Sequence, residues 1–148
     1  MYVIHDRAAV ELPCAPRERT EDLDGMRVHT FSSKSSRGDF FWFQHARMPD
    51  NFDPSDTSTF ERVMGDSRRE LTRELNGKLV KKRLIASAQG LDGREYWIEG
   101  GGEFSGATLY LRFFLVDKRM YYLGSSTQSG GGPDRRVRSF LDSFRIKQ

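Results

Sequence analysis

Cysteine is nearly absent: Cys14 stands alone among 148 residues. That excludes an internal disulfide and any zinc site built on paired cysteines. Histidine is scarce too, and His5, His29 and His45 share no spacing that would set two ligands on one metal. No stretch approaches the roughly 18 consecutive apolar residues of a membrane-spanning helix. The opening MYVIHDRAAV carries Asp6 and Arg7 where a secretory leader would be apolar. The expectation is a cytoplasmic protein as the chain is given, exported only if the true start lies upstream.

Nucleotide signatures are missing as well. The stretch GSSTQSGGGPDRRVRSF, residues 124–140, has the outline of a phosphate cradle: an apolar run, then glycines, then a helical pattern. A P-loop needs G-x-x-x-x-G-K-[ST], so that backbone amides, a lysine and a hydroxyl converge on phosphate and magnesium. Here no Lys-Ser/Thr pair follows the glycines. Pro133 removes one amide an anion would use, and Asp134 places a carboxylate where a helix dipole would otherwise hold phosphate. The stretch reads as a connection that lets the last helix fold back, and no cofactor is assigned.

What is present suits a single domain spanning 1–148. The hydrophobic fraction is 36%, with 11 Phe, 5 Tyr and 2 Trp, enough for an aromatic core. Charge is uneven: residues 1–76 hold 11 Lys and Arg against 14 Asp and Glu, and residues 77–148 hold 13 against 7. The second half could therefore present a basic face.

The apolar period changes along the chain. AAVELP reads as a strand stopped by Pro13. MRVHTFSS and DFFWFQHAR read as a hairpin around KSSRG. Phe40, Trp42 and Gln44 share one face of the second strand, and Phe41, Phe43 and His45 the other. Large aromatics on both faces predict a strand covered on both sides. After a Pro/Asp/Ser-rich loop, Ser58 and Glu61 form a capping-box pattern, and the spacing predicts a helix over 59–75 stopped by Asn76-Gly77. Four strands follow, joined by the turn LDG and by a tight turn at Asp117-Lys118. A last helix over 134–143 has Val137, Phe140, Leu141 and Phe144 at i, i+3, i+4 and i+7 and Pro133 at its first position. Phe60, Met64, Leu71, Phe140, Leu141 and Phe144 are the predicted core of the two helices. The fold class is α+β, with a central, mostly antiparallel sheet and two principal helices.

In order, Val10 to Pro13, Gly77-Lys78, Gly93 to Tyr96 and the terminal Phe140 to Phe144 resemble the pattern of the PsbP-like domains. Within them the chain is most similar to small uncharacterised bacterial relatives near the DcrB group, frequent in planctomycete-type genomes. The resemblance spans nearly the whole chain. It implies an α-β-α sandwich and no common catalytic site. Known members of the wider superfamily are accessory proteins, among them a photosystem II extrinsic subunit and a binder of a nuclear transport GTPase. Many relatives carry an export signal or a lipid anchor, whereas this chain begins almost at its first strand. Read physically, the shared motifs are core and turn: Gly93 permits a turn, Tyr96 fills a core, and Phe140 and Leu141 dock a helix.

Four kinds of site can be weighed on the residues. A hydrolase reading would use His45, Asp50 and Asp53 with Ser55 or Ser58, but no G-x-S-x-G elbow accompanies them, and turn chemistry accounts for the loop. Asp50, Asp53 and Asp56 lack the spacing of a calcium loop. For nucleic acid, Lys81, Lys82, Arg83, Arg94, Arg112, Arg119, Arg135 and Arg136 could approach phosphates, with Trp97, Tyr121 and Tyr122 as stacking faces. Glu95, Glu99 and Glu103 interrupt that basic surface and argue against it. No catalytic, cofactor-binding or metal residue is assigned, and no binding residue. The favoured reading is a non-catalytic accessory or protein-binding domain whose partner is another protein. The alternatives are an enzyme acting on an anionic substrate and weak nucleic-acid binding through the basic second half.

Overall fold

A computed structural model describes residues 2–5, 7–23, 25–128 and 133–147. In chain order the elements are β1 (Tyr2–His5), β2 (Ala8–Glu11), β3 (Arg17–Leu23), β4 (Met26–Lys34), β5 (Phe40–Arg47), α1 (Thr57–Glu74), β6 (Lys78–Ala86), β7 (Asp92–Glu99), β8 (Thr108–Val116), β9 (Arg119–Thr127), α2 (Arg135–Asp142) and β10 (Arg145–Ile146). Seven strands form one sheet in the order β3-β4-β5-β9-β8-β7-β6, and β1, β2 and β10 form a small second one. Every pairing is antiparallel. The chain lays down β3 to β5, crosses through α1 to the far edge at β6, and walks back until β9 pairs with β5.

Two cores lie on opposite faces of the large sheet. Phe60 and Met64 of α1 cluster with Tyr96, Ile98, Leu109, Leu111, Phe113 and Tyr122. Val137, Phe140 and Leu141 of α2 cluster with Phe144, with Val10 and Leu12 from β2 and its end, and with Phe41, Phe43, Tyr110, Phe114, Tyr121 and Leu123. In β5, β8 and β9 the two sets alternate residue by residue, as the period of two requires. We call these the α1 face and the α2 face. A sheet-dominated architecture with two α-helices and antiparallel sheets is thus established among the described residues.

Several expectations need correction. The N-cap of α1 is Asp56, not Ser58: its carboxylate accepts from Ser58 N at 3.1 Å. Asp serves as well as Ser at that position, and Glu61, the other half of the expected box, is drawn away to Arg94 at 2.5 Å. The helix therefore starts two residues early. It ends as expected, with Asn76 at φ 48°, Asn76 N bonded to Arg73 O and Gly77 N to Thr72 O, the paired bonds of a Schellman stop. Asp134 caps α2 by accepting from Val137 N at 3.0 Å, so Pro133 precedes the cap and is not the first helical residue. Leu71 is only half-buried. Gly93 lies within β7, where a Cβ would sit 2.6 Å from the Phe114 ring; close packing explains it, and Gly90, at φ 78°, is the turn glycine.

Three strands were not expected. β1 and β10 are short, and each pairs only with β2. β3, RERTEDL, carries charge at nearly every position, a composition poor in strand formers. It becomes a strand because β4 offers it a full ladder, and its charges suit an exposed edge. The segment 129–132, which holds three of the glycines from the cradle-like stretch, lies outside the described residues. Gly124 to Thr127 belong to β9.

Candidate functional site

Cross-strand register builds the site. Across the α1 face one row runs Arg17, Ser32, Trp42, Gly124, Leu111, Tyr96, and the next runs Arg19, Thr30, Gln44, Tyr122, Phe113, Arg94. In both rows the half on β7 to β9 is apolar but for Arg94 and lies under α1, with Arg94 held there by Glu61. The polar half lies on β3 to β5 and has no helix over it. The result is an open groove of about 840 Å³, floored by Thr30, Ser32, Trp42 and Gln44, walled by Ser67, Glu70, Leu71 and Glu74 of α1 and by Arg17 to Arg19 of β3. It continues past Gln44 and Tyr122 into a second concavity of about 380 Å³ lined by Met26, Val28, Ala46, Val63 and Met120.

The floor is held locally. Gln44 Nε2 donates to Thr30 Oγ1 at 3.2 Å. A Cβ on Gly124 would sit 2.1 Å from Trp42, so only glycine lets the indole lie flat across β9. Trp42 meets Tyr122 edge-on, with ring centroids 5.9 Å apart, and Phe40 beside it is 42% exposed. The expected cover on both sides of β5 is therefore present on the Phe41/Phe43 side and incomplete on the Phe40/Trp42 side.

Tyr122 is the unusual group here. It is 8% exposed, lines both concavities, and its hydroxyl has no hydrogen-bond partner among the described residues. Burial pushes its phenol well above the ordinary tyrosine range, and the Glu74 carboxylate adds to the push. The nearby Trp42 indole works the other way without reaching hydrogen-bond geometry. A buried hydroxyl without a partner is costly, and here it borders a groove.

The α2 face handles polarity differently. Glu95, 1% exposed, accepts from Arg83 Nε at 2.7 Å, Trp97 Nε1 at 3.1 Å and Arg112 Nε at 2.5 Å. Arg112 reaches on to Asp142 of α2 at 2.6 Å, and Lys81 lies over Trp97 at 4.1 Å. This closed network takes up much of the basic surface read from the sequence. Arg94 is held by Glu61 and Arg136 by Asp39, while Tyr121 and Tyr122 are buried and offer no stacking faces. At the α2 N-terminus the cap carboxylate of Asp134 also faces Arg37 and Arg136, each at 3.8 Å.

The hydrolase candidates divide. Ser55 Oγ donates to Asp53 at 2.7 Å and Ser58 Oγ to Asp56 at 2.5 Å, closing two local turns. Those bonds hold both carboxyls below the usual carboxylate range. Asp50 contributes its backbone carbonyl to Lys118. His45 lies elsewhere, buried on β5. The sequence treats the histidines as scattered, yet the fold gathers them: ring centroids are 4.3 Å apart for His5 and His29, 5.1 Å for His5 and His45, and 6.1 Å for His29 and His45. His29 and His45 are register partners, which no sequence spacing reveals. Among the described residues no group of three His, Cys, Asp or Glu is placed to hold a metal, and no helix is long and apolar enough to cross a membrane.

Sequence reasoning missed the groove. The one available signal was Phe40, Trp42 and Gln44 on a shared face opposite Thr30 and Ser32. The walls, from β3 and mid-α1, are distant in sequence. No family model and no curated protein sequence matches the chain.

Proposed function

We propose that this protein is a non-catalytic binding module of the PsbP-like, α-β-α sandwich kind, and that its partner is a protein segment held in the groove beside α1. The observation that carries this reading is the half-covered sheet face. A polar and aromatic floor, a helical wall and a buried hydroxyl without a partner surround one concavity of the size that ligand sites usually have. The motif order from Val10-x-Leu12-Pro13 to Phe140-Leu141-Asp142-Ser143-Phe144 and the two core clusters support the family reading. The engagement of Arg83, Arg94, Arg112 and Arg136 by carboxylates speaks against the nucleic-acid alternative.

The test is site-directed photocrosslinking in the native cell. A benzophenone side chain at Ser32 or at Ser67 is expected to give a discrete protein adduct. The same group at exposed Ser139 of α2 is expected to give none. Equal labelling from all three positions, or adducts from Ser139 alone, would remove the groove as the working surface.

A further inference from the structure

The geometry points to an occupant: an extended peptide of about five residues that brings lysine or arginine side chains to Glu70 and Glu74 and passes over Trp42 to Tyr122. This rests on the groove being the binding surface and adds the chemistry of what it binds.

The two concavities share Gln44, Ser67, Glu70 and Tyr122, so they form one channel along α1 from Val63 to Glu74. Eleven helical steps of about 1.5 Å make roughly 17 Å, the reach of about five extended residues at ~3.4 Å each. Three carboxylates, Asp66, Glu70 and Glu74, follow at four-residue intervals along that wall. Asp66 is taken by Arg69. Glu70 and Glu74 are exposed, and neither forms an ion pair with a described residue. They are an i,i+4 like-charge pair, which destabilises a helix. Glu74 also ends α1, where the macrodipole disfavours a carboxylate. Ligand cations relieve both conflicts, and Trp42 and Phe40 offer ring faces to the same cations. Across the floor Arg17 is left to donate to the peptide's carbonyls, while Arg19, which also lines the groove, is paired with Glu21. The hydroxyl of Tyr122, buried and without a described partner, gains one. A neutral sugar would satisfy the hydroxyl and leave the like-charge pair as it is.

Trp42 and Trp97 are the only tryptophans, so Trp97→Phe makes Trp42 the sole indole reporter. Three probes are titrated into that variant and followed by indole fluorescence and by amide chemical shifts. They are a blocked pentapeptide with lysines at its second and fourth positions, the same peptide with glutamates there, and a neutral glucose pentamer. The lysine peptide is expected to move the signals of Ser32, Gln44 and Tyr122 and to bind at least tenfold more tightly than the glutamate peptide. Glu70→Gln with Glu74→Gln should weaken it about tenfold without lowering the melting temperature, which rises if anything as the like-charge pair is relieved, and Glu103→Gln, off the groove, should leave binding unchanged. If the glutamate peptide or the sugar binds the same residues as well or better, this inference falls and the groove stands. If the lysine peptide binds with its shifts elsewhere, or no probe moves the groove signals, both fall.

Discussion

Two rows cross the same four strands, one on each face. On the α2 face Glu18, Phe31, Phe43 and Leu123 stand opposite one another; on the α1 face the sequence is Arg17, Ser32, Trp42 and Gly124. Phe31, Phe43 and Leu123 are buried beneath α2 and the small sheet. Ser32 and Trp42 are half-exposed. One backbone thus supports a closed core and an open floor, separated only by the alternation of side chains. Further along the sheet the polarity reverses: the first row continues to Arg112, Glu95 and Arg83, and the second to Leu111 and Tyr96. Each face is apolar where a helix or the small sheet covers it. The polar part of the α2 face closes on itself through Glu95, whereas that of the α1 face stays open.

The contrast can be broken most forcefully on the closed side. Phe140→Ala and Phe43→Ala should each cost about 3–5 kcal/mol in chemical denaturation, as large-to-small changes in enclosed cores do. A loss under about 1 kcal/mol would mean that this face is not the closed one. Glu95→Ala should cost less, about 1–3 kcal/mol, because Arg112 and Trp97 lose their buried acceptor while Arg112 keeps Asp142. Arg83, which is half-exposed, adds little to that figure.

Gly124→Ala crosses the boundary between the regions. The new methyl must displace Trp42, at about 1–3 kcal/mol for a forced overpacking. In the Trp97→Phe background the emission of Trp42 should shift to the red as the indole swings into solvent.

Alkaline titration sharpens the comparison further. Burial raises the phenols of Tyr96, Tyr110 and Tyr122 in the folded chain, while in the unfolded chain they ionise near pH 10. The unfolded state therefore loses these protons first. The contribution is complete below pH 10 and declines as pH rises through the folded values, by up to about 1.4 kcal/mol per pH unit for each such tyrosine. Tyr122→Phe should flatten that decline, as read from denaturant midpoints between pH 9 and pH 11. An unchanged slope would show that the hydroxyl is not shielded. The smallest effect belongs to the open floor: Ser32→Ala should change stability by no more than about 0.5 kcal/mol.

Legibility in the sequence followed the strength of the local signal. The i, i+3, i+4, i+7 pattern of Val137, Phe140, Leu141 and Phe144 located α2, and Asn76-Gly77 located the end of α1, because periodicity and stop chemistry act over a few residues. The start of α1 was misplaced because Asp56 and Ser58 are both competent caps. Only the pull of Arg94 on Glu61, across 33 residues, separates them. The β3 strand was invisible because its reason for existing is the ladder with β4.

By itself the sequence determined the alternation of faces in β5, the two amphipathic helices and the antiparallel hairpins, since each depends on side-chain period and turn residues within a short window. Tertiary structure alone decided that β9 closes on β5, that three histidines 24, 16 and 40 positions apart in pairs meet, and that α1 covers half a face and leaves Tyr122 at the edge of a groove. These are outcomes of strand order and register, which are set by the free energy of burying the whole sheet and leave no mark in any local stretch of chain.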